Sequence, residues 1–584
     1  MSNSILITLE NQGLCLKFNN DTSLAKTLKD ILPFNLRIYD GISKTWHISL
    51  INPKSVDYFY TFLESIKDHI VIDIDPLAKS FIIAKHNEYF KSIELSQSLK
   101  SSIPNDEIKI DHIEKLREFQ KTAVEYVSEH RRTFIADPVG CGKTVEVISS
   151  LQYLKAYPAL VVVPAIAIST WEKEIKFWLS NQNISYSILH PTQRGINLTT
   201  NIVITTYDMV KKYLIELQTI PFKTLILDES HLVKDKKTQR FKSLIEVAKG
   251  KENVILMSAT PIANKPIDLI AQLEIMGMFK PLFKSAADFT QRYCDIEETS
   301  GGANIDELKD ILRANCMIVR SKKEIMPEMP ETTRIPFEIK LSSKYKEMYK
   351  RAVDDISNWY YDKTRHDLIN KITDGNLTQK ELAYIEQQSI KQKAKGKSLS
   401  HEALIRLNAL RQIAGMGKLE SVKEWLDVFL GNDEKLVIFV EHHDVLAKLV
   451  QLYPSSAFIH GKLSPANRGK QIQRFWEDKD CKFIIASIRA AGVSIDLQNA
   501  SNALFVEMWW TATAHTQAEG RLERHGQKNA MTMNYALMAD IYKDKPSIDN
   551  EMYNLIQAKM AVADTFKAKT GIKDMLGILK KIAK

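Results

Sequence analysis

The chain is poor in cysteine, with five in 584 residues. They lie far apart, at Cys15, Cys141, Cys294, Cys316 and Cys481, and no two form a CxxC pair. This spacing argues against a disulfide scaffold and a structural zinc site, and it indicates a reducing compartment. Residues 1–22 do not resemble a signal peptide, and the longest apolar run, residues 158–168, is too short to cross a bilayer. We therefore expect a soluble intracellular protein with no membrane partner, cytoplasmic in a prokaryote or virus and nuclear in a eukaryote.

The chain also lacks a strong excess of either charge. Its 80 Lys and Arg against 71 Asp and Glu leave a net charge of +9, which permits a nucleic acid partner without requiring one. The 44% of hydrophobic and 26% of charged residues are typical of globular proteins. A chain of this length is expected to form three or four domains.

Two stretches alternate short apolar runs with helical spacers, which is the pattern of a doubly wound parallel sheet. The candidate strands are residues 133–136, 159–163, 201–205, 224–227 and 253–257 in the first stretch, and 435–440, 456–459, 481–486 and 503–506 in the second. We therefore predict an α/β protein with two lobes. The predicted domains are a small α+β module in 1–105, a first lobe in 106–275, helical protrusions and a linker in 276–410, and a second lobe with a helical tail in 411–584.

The segment ADPVGCGKT at residues 136–144 follows the first apolar strand and predicts a phosphate-binding loop. Its small residues let backbone N–H groups approach phosphate oxygens, while Lys143 can reach the β and γ phosphates and the Thr144 hydroxyl can ligate Mg²⁺. Asp137 stands where the general pattern has glycine, so an ordinary turn is the alternative interpretation. The loop favours binding of a nucleoside triphosphate.

Two later segments add acids and hydroxyl groups at strand ends. LILDESH at residues 225–231 ends a strand, with Asp228 suited to hold Mg²⁺ through water and Glu229 suited to orient or deprotonate an attacking water. MSATP at residues 257–261 closes the next strand, where hydroxyl residues can link a nucleotide site to a second ligand. A turn that caps a helix is the alternative for MSATP.

QAEGRLERHGQ at residues 517–527 places Arg521 and Arg524 three residues apart, on one face of a predicted helix. Arginine is permanently charged, so both side chains can stabilise the charge that develops on a transferred phosphoryl group. A salt-bridged helix face, with Glu519 and Glu523 as partners, is the alternative.

These segments occur together and in order, and the set resembles the superfamily two helicases, within them the Swi/Snf family of double-stranded DNA translocases. The first motif of that family reads close to ADEMGLGKT, so Asp137 matches the family where it departs from the general pattern. Further matching segments are LVVVPAIAISTWEKEI at 160–175, VITTYDMV at 203–210, DESHLVKD at 228–235, SATPIANKPIDL at 258–269, VRSKKEI at 319–325, VIFVEHHDVL at 437–446, IHGKLSPANRGKQIQRF at 459–475 and ASIRAAGVSIDL at 486–497. The resemblance covers roughly residues 110–535. LRQIAGMGK at 410–418 and the cluster of Glu507, Trp509 and Trp510 resemble the annealing-helicase branch.

The resemblance implies two RecA-like lobes, ATP and Mg²⁺ as cofactors, and duplex or forked DNA held by its backbone without base-specific contacts. It implies an ATP-dependent double-stranded DNA translocase, a helicase-like motor that remodels or reanneals DNA or clears nucleoprotein. We expect a monomer. The implied nucleotide-binding residues are Gln120, Asp137, Gly140, Gly142, Lys143 and Thr144, and the implied catalytic residues are Lys143, Asp228, Glu229, Arg521 and Arg524. The implied metal ligands are Thr144 and Asp228, and the implied DNA contacts are Thr205, Thr206, His460, Ser487 and Gly492.

Four positions depart from the family pattern. Pro138 replaces an acid in the loop and removes one N–H phosphate donor. Gly520, Glu523 and Asp496 stand where the family usually has Asp, His and Asn. Pro138, Gly520 and Glu523 leave open a low-turnover, ATP-gated DNA-binding protein. A strand-separating DNA or RNA helicase, which uses the same engine with an added wedge, is the other alternative.

Two further segments allow two interpretations each. FNLRIYDGISKTWHISL at residues 34–50 faintly resembles the HARP element of annealing helicases, and its Trp46 either stacks on unpaired bases or fills the core of a small β module. The core interpretation is favoured. The lysine-rich KQKAKGK at residues 391–397 predicts a solvated loop rather than a DNA contact.

Overall fold

A computed structural model divides the chain into two compact units, Met1–Ile325 and Met326–Lys584. No helix of the described residues is long and apolar enough to cross a membrane. The structure describes residues 4–10, 13–18, 22–32, 36–50, 53–103, 110–181, 183–189, 200–259, 266–283, 285–294, 303–360, 399–491, 495–524, 526–542, 545–561, 578 and 580–582.

The first unit begins with a five-stranded sheet in the order β3-β4-β2-β1-β5, in which only the β1–β5 pair is parallel. Its strands and helices are β1 (Ser4–Glu10), β2 (Gly13–Phe18), α1 (Thr22–Ile31), β3 (Arg37–Asp40), β4 (Thr45–Ile48), α2 (Pro53–Ile66), β5 (Val71–Ile74) and α3 (Pro76–Gln97). The Asp75 carboxylate caps α3 by accepting from the N–H groups of Leu77 and Ala78. Trp46 is 7% exposed and packs in the apolar core of this module. The core interpretation of Trp46 is therefore confirmed.

The α+β module is bound to the α/β lobe that follows it in the first unit. Ala314, which belongs to the lobe, packs in the apolar core of the module. The carbonyl of the adjacent Arg313 accepts from the Tyr126 hydroxyl within the lobe at 2.7 Å. A second link joins His130 Nε2 to the Ser92 hydroxyl at 3.1 Å. Module and lobe therefore form one body within this unit.

The lobe of the first unit has a seven-stranded parallel sheet in the order β12-β6-β11-β10-β7-β9-β8. Its strands are β6 (Arg132–Ile135), β7 (Ala159–Val163), β8 (Tyr186–Ile188), β9 (Ile202–Thr206), β10 (Thr224–Asp228), β11 (Asn253–Met257) and β12 (Met317–Ile318). Its helices are α4 (Glu118–His130), α5 (Lys143–Leu154), α6 (Ile168–Trp178), α7 (Tyr207–Lys212), α8 (Leu214–Thr219), α9 (Gln239–Ala248), α10 (Asp268–Met276), α11 (Phe279–Leu282), α12 (Ala286–Tyr293), α13 (Ala303–Asn315) and α14 (Lys322–Ile325). Strands β7 and β11 are buried at every residue, as expected for parallel strands covered on both faces.

The second unit has a six-stranded parallel sheet in the order β13-β18-β17-β14-β16-β15. Its strands are β13 (Thr332–Ile339), β14 (Leu436–Val440), β15 (Ala457–Ile459), β16 (Phe483–Ser487), β17 (Asn502–Phe505) and β18 (Met531–Met538). Its helices are α15 (Ser343–Tyr360), α16 (Leu399–Gly417), α17 (Leu419–Phe429), α18 (His443–Leu452), α19 (Pro465–Glu477), α20 (Ile488–Ala491), α21 (Ala512–Glu519) and α22 (Ile548–Ala561). The predicted α/β class, with two RecA-like parallel-sheet lobes, helical insertions and a small α+β module, is confirmed.

The structure adds detail to one predicted domain range. The range 276–410, expected to hold helical protrusions and a linker, also contributes β12 to the first sheet and β13 to the second. The division between the units falls inside it, at Ile325 and Met326. The physical reason is that each sheet is completed by a strand distant in sequence from its other strands. The lysine-rich segment 391–397 lies outside the described residues.

Candidate functional site

The phosphate loop connects the end of β6 to the start of α5. Gly140 and Gly142 have φ angles of 85° and 87°, in the left-handed region that glycine adopts without a steric penalty. The Lys143 ammonium donates to the carbonyls of Asp137 at 2.8 Å and Pro138 at 2.9 Å. Its charged end is therefore bonded to the first part of the loop.

Gln120, on α4, braces the other end of the loop. Its side-chain amide donates to the Cys141 carbonyl at 3.1 Å and accepts from the Arg117 N–H at 3.0 Å. A Cβ at Gly142 would lie 2.6 Å from Gln120 Nε2, so only glycine allows this approach. The structure thus shows Gln120, 7% exposed, as a support for the loop. A nucleotide contact by this residue stays a prediction.

The Asp137 side chain is turned away from solvent and paired with an arginine, and a nucleotide contact by this residue stays a prediction. Both Asp137 carboxylate oxygens accept from the Arg320 guanidinium, and both side chains are 0% exposed. Glu146 on α5 is equally buried, with Oε1 3.5 Å from Arg320 Nη2. Burial, together with the Asp137 charge, raises the pKa of Glu146 to about 8. Asp137 therefore serves the loop through this ion pair and through its backbone carbonyl.

The predicted metal ligand Asp228 is the last residue of β10. Its Oδ2 accepts from the Trp171 indole N–H at 2.9 Å, and its carbonyl accepts from the Tyr207 hydroxyl at 2.6 Å. Burial and the neighbouring Glu229 charge raise the pKa of Asp228 to about 6, while the Lys143 charge acts in the opposite direction. The acid pair and the loop lysine are thus close enough to interact.

The donor set fits Mg²⁺, which prefers oxygen ligands. The Asp228 carboxylate and the half-buried Thr144 hydroxyl, at the start of α5, supply such oxygens. Two adjacent carboxylates, whose like charges repel each other, are also stabilised by a nearby cation. Thr144 and Asp228 are therefore the residues that would hold the ion.

Glu229 follows β10 in a strained backbone conformation, with φ 51° and ψ 50°. Non-glycine residues adopt this left-handed region uncommonly, and such residues cluster at functional sites. The His231 Nδ1 lies 3.2 Å from Glu229 Oε2 and 3.0 Å from the Ser258 hydroxyl. His231 therefore links the acid pair to the segment that follows β11. The continuation of that segment, residues 260–265, lies outside the described residues.

The structure places four of the five predicted DNA contacts, Thr205, Thr206, His460 and Ser487, at the carboxyl ends of strands. Thr205 is 0% exposed at the end of β9, and this burial counts against a DNA contact, because phosphates need an accessible group. The Thr206 hydroxyl caps α7 by accepting from the Met209 N–H at 3.4 Å. His460 follows β15, and Ser487 ends β16. Gly492 lies outside the described residues, and the DNA roles of all these residues stay predictions.

Arg521 and Arg524 do not share a helix face, in contrast to the expectation from their spacing. Helix α21 ends at Glu519, Gly520 is its C-cap, and both arginines lie in the turn that follows. Glycine lowers helix stability, which accounts for the end of the helix here. Arg521 is 5% exposed, and Arg524 is half-buried.

The two acids near these arginines, Glu519 and Glu523, also bond to residues of other strands. The Glu519 carboxylate accepts from the Arg334 guanidinium, with one bond of 3.0 Å, and from the Tyr535 hydroxyl at 2.8 Å. Glu523 accepts from the Thr332 hydroxyl at 2.7 Å. Strand β13, which carries Thr332 and Arg334, thus supports the turn that holds the arginines.

The annealing-helicase segments, 410–418 and the Glu507 cluster, are in contact. A Cβ at Gly415 would lie 2.4 Å from Glu507 Oε1. The Arg411 guanidinium donates to the Met508 carbonyl at 2.5 Å and lies 5.4 Å and 5.0 Å from the ring centres of Trp509 and Trp510. Two segments distant in sequence therefore form one packed cluster.

Comparison with known proteins agrees with this geometry. A family model for the SNF2-related domain matches residues 118–414. The chain belongs to the SNF2-related family. A model for the helicase conserved C-terminal domain matches residues 417–526. The resemblance to the Swi/Snf family inferred from the motifs is therefore confirmed.

The individual relatives of this SNF2-related chain have low sequence identity to it. The SWI/SNF-related matrix-associated actin-dependent regulator of chromatin subfamily A-like protein 1 of Xenopus laevis is 27% identical over 90% of this chain and 51% of its own length. The human DNA annealing helicase and endonuclease ZRANB3 is 25% identical over 77% of this chain and 40% of its own length. The chain thus spans about half the length of the first of these relatives. A Sulfolobus solfataricus SWI2/SNF2 ATPase core in complex with dsDNA aligns over 83% of this chain and 99% of its own, with 22% identity and a TM-score of 0.37.

Several residues of this SNF2-related protein that support the site escaped sequence reasoning. The matching segments 160–175 and 319–325 contain Trp171 and Arg320 but indicate no role for either. Glu146 and His231 were given no role. The Asp228 partner Trp171 and the Asp137 partner Arg320 lie far from these acids in sequence. The one sequence signal for a buried partner was the charge of Arg320 at the end of an otherwise apolar run, MIVR at residues 317–320.

Proposed function

We propose that this protein is an ATP-driven translocase on double-stranded DNA, which remodels or reanneals DNA or clears nucleoprotein. One observation carries the proposal. The phosphate loop, the segment with Ser258 and the acid pair follow β6, β11 and β10, which are neighbours in one parallel sheet. The carboxyl ends of parallel strands lie at one edge, where α/β proteins bind their ligands. Membership of the SNF2-related family and the names of the annealing-helicase relatives support DNA as the partner.

The proposed reaction is hydrolysis of the bond between the β and γ phosphates of ATP. Lys143 neutralises the β and γ phosphate oxygens, and Glu229 orients the attacking water and accepts one of its protons. Thr144 and Asp228 would hold Mg²⁺, which would supply further neutralisation of phosphate charge. Arg521 and Arg524 stabilise the charge on the transferred phosphoryl group, and ADP, phosphate and a proton are released.

ATP turnover compared across single-stranded, duplex, forked and RNA cofactors tests the proposal. We expect duplex or forked DNA to raise turnover most. Lys143→Ala should abolish hydrolysis and leave the fold intact, because its ammonium neutralises phosphate and is half-buried rather than part of a core. A wild-type protein whose ATPase activity no DNA raises would overturn the proposal.

A second assay separates translocation from strand separation. Displacement of the third strand from a triplex, without unwinding of a forked duplex, is expected of a translocase. Unwinding of the fork would support a strand-separating helicase instead. Turnover near zero with intact ATP binding would support the low-turnover alternative, to which Pro138, Gly520 and Glu523 point.

A further inference from the structure

A buried arginine lies behind the phosphate loop. Arg320 follows β12, and its side chain is 0% exposed. Its Nε and Nη2 donate to the Asp137 carboxylate, and its backbone N–H donates to Asp137 Oδ1 at 3.0 Å. A planar guanidinium that meets a carboxylate through two nitrogens restricts both the position and the orientation of that acid.

The same guanidinium also reaches three other segments. Its Nη1 donates to the Phe119 carbonyl at 2.6 Å and to the Ser98 carbonyl at 3.3 Å. Its Nη2 lies 3.5 Å from Glu146 Oε1 on α5. One side chain therefore joins the loop, α5, the start of α4 and the segment after α3.

These contacts reach the start of the phosphate loop directly, at Asp137, and its end indirectly, through the backbone of Phe119 and the side chain of Gln120. At the start of the loop, the carbonyl of Asp137 accepts from the Lys143 ammonium at 2.8 Å. At its end, Gln120, the residue after Phe119, donates to the Cys141 carbonyl at 3.1 Å. Displacement of Arg320 would therefore release both supports of the loop together.

We propose that Arg320 is a positioning residue, which holds the phosphate loop and Lys143 in the arrangement that binds nucleotide. The inference rests on the proposed function, since it concerns the same site. A glycine at position 137, as in the general loop pattern, would have no side chain for Arg320 to hold. In this chain, the ion pair with Asp137 takes over the anchoring of the first part of the loop.

The test is Arg320→Lys, which keeps the positive charge but cannot hold Asp137, Phe119 and Ser98 at once. We expect the dissociation constants of ATP and ADP to rise about tenfold or more, as for the loss of charge-assisted hydrogen bonds. KM for ATP should rise, while kcat at saturating ATP changes by less than about threefold, because the reacting groups are retained.

Arg292→Lys is the matched control. Arg292 makes a similar two-nitrogen pair with Glu307 in the same unit, with one bond of 2.9 Å, but between α12 and α13 and away from the loop. The nucleotide affinity of the Arg292→Lys variant should stay within about twofold of wild type. If Arg320→Lys lowers the melting temperature without changing the ATP dissociation constant, the role is only structural and the inference is overturned.

A double-mutant cycle keeps the inference testable if Arg320→Lys fails to fold. Asp137→Asn alone should weaken ATP binding, and the neutral pair Asp137→Asn with Arg320→Gln should bind no worse than the weaker single variant. Additive losses would mean that the residues act separately. Each of these measurements is the ratio of a variant's nucleotide affinity to that of wild type, so it does not depend on stimulation of the ATPase by DNA. A wild-type protein that binds ATP without DNA-stimulated turnover would contradict the proposed function and leave the Arg320 ratios intact.

Discussion

The two parallel sheets present predicted site residues at their carboxyl ends but support them differently. In the first unit, the charged side chains of the site are bonded within the site itself: Lys143 to loop carbonyls, Asp137 to Arg320, and Asp228 to Trp171. In the second unit, the arginines follow a helix end, and strand β13 binds the acids around them. The first unit is therefore built to bind in a fixed geometry, and the second to present charge from a turn.

This difference predicts a division of labour, in which the first unit determines nucleotide affinity and the second determines turnover. The largest expected effect comes from Arg521→Ala and Arg524→Ala. Each should lower DNA-stimulated kcat about a thousandfold, since arginines of this kind contribute that much to phosphoryl transfer, and leave the ATP dissociation constant within about threefold. ATPase assays and nucleotide titrations measure the two quantities.

Arg474→Ala is the control for the arginine variants, since Arg474 lies on α19 of the same unit with its side chain 40% exposed. It should leave both quantities unchanged. Loss of ATP binding in Arg521→Ala, with normal turnover at saturation, would break the comparison between the units.

The next largest effect is expected for Gly142→Ala. Its new Cβ would lie 2.6 Å from Gln120 Nε2, and its φ of +87° adds strain. ATP affinity should fall about tenfold, because the brace on the loop is displaced. Gly250→Ala has the same type of strain, with φ of +71°, but nothing within 4 Å of the Cβ. Both variants should lose about 1 kcal/mol of stability, and an equal loss of ATP affinity in both would exclude a special role for the Gln120 contact.

A smaller effect is expected for Trp171→Phe, which removes the indole N–H from Asp228 and keeps an aromatic ring in the core. ATP turnover should fall to about a tenth of the wild-type value and should require a higher Mg²⁺ concentration. The reason is that the orientation of the metal-binding carboxylate is less restricted. Trp178→Phe removes an equivalent bond of 2.9 Å, to Glu174, from the same helix. A titration of ATPase activity against Mg²⁺ should show a shift for the first variant alone.

The smallest effect concerns pH and the second unit. His515 is 0% exposed, its Nε2 accepts from the Trp509 N–H at 3.1 Å, and burial lowers its pKa from 6.5 to about 3. Because the pKa of His515 is lower in the folded protein than in the unfolded chain, its neutral ring contributes to stability. This contribution is complete above the unfolded pKa of 6.5 and is lost as the pH falls towards 3. Between about pH 7 and pH 5.5, protonation of this group in the unfolded chain should lower the free energy of unfolding by about 1 kcal/mol.

Urea unfolding at both pH values measures this loss. His515→Gln should show a weaker pH dependence than wild type, whereas the exposed His69→Gln should not. An unchanged dependence in His515→Gln would mean that other groups account for the acid sensitivity of the protein.

Most of the buried strands were predictable because parallel strands covered on both faces read as continuous apolar runs, but the buried strand β18 was not predicted. Residues 159–163 and 253–257 were predicted with the bounds observed. Strand β12 was missed because it has two residues, and β13 because it is largely exposed and contains Pro336. The spacing of Arg521 and Arg524 predicted a shared helix face, but Gly520 ends the helix before them.

By itself, the sequence determined the order of motifs, the two α/β lobes and the family, because apolar periodicity and loop chemistry depend on neighbouring residues. Tertiary structure alone decided which side chains meet. The side chain of Asp137, in the predicted phosphate loop, is the ion-pair partner of Arg320, and the indole N–H of Trp171, in the segment 160–175, donates to Asp228. Such pairs join residues far apart along the chain, and only the packing of strands and helices brings them within hydrogen-bonding distance.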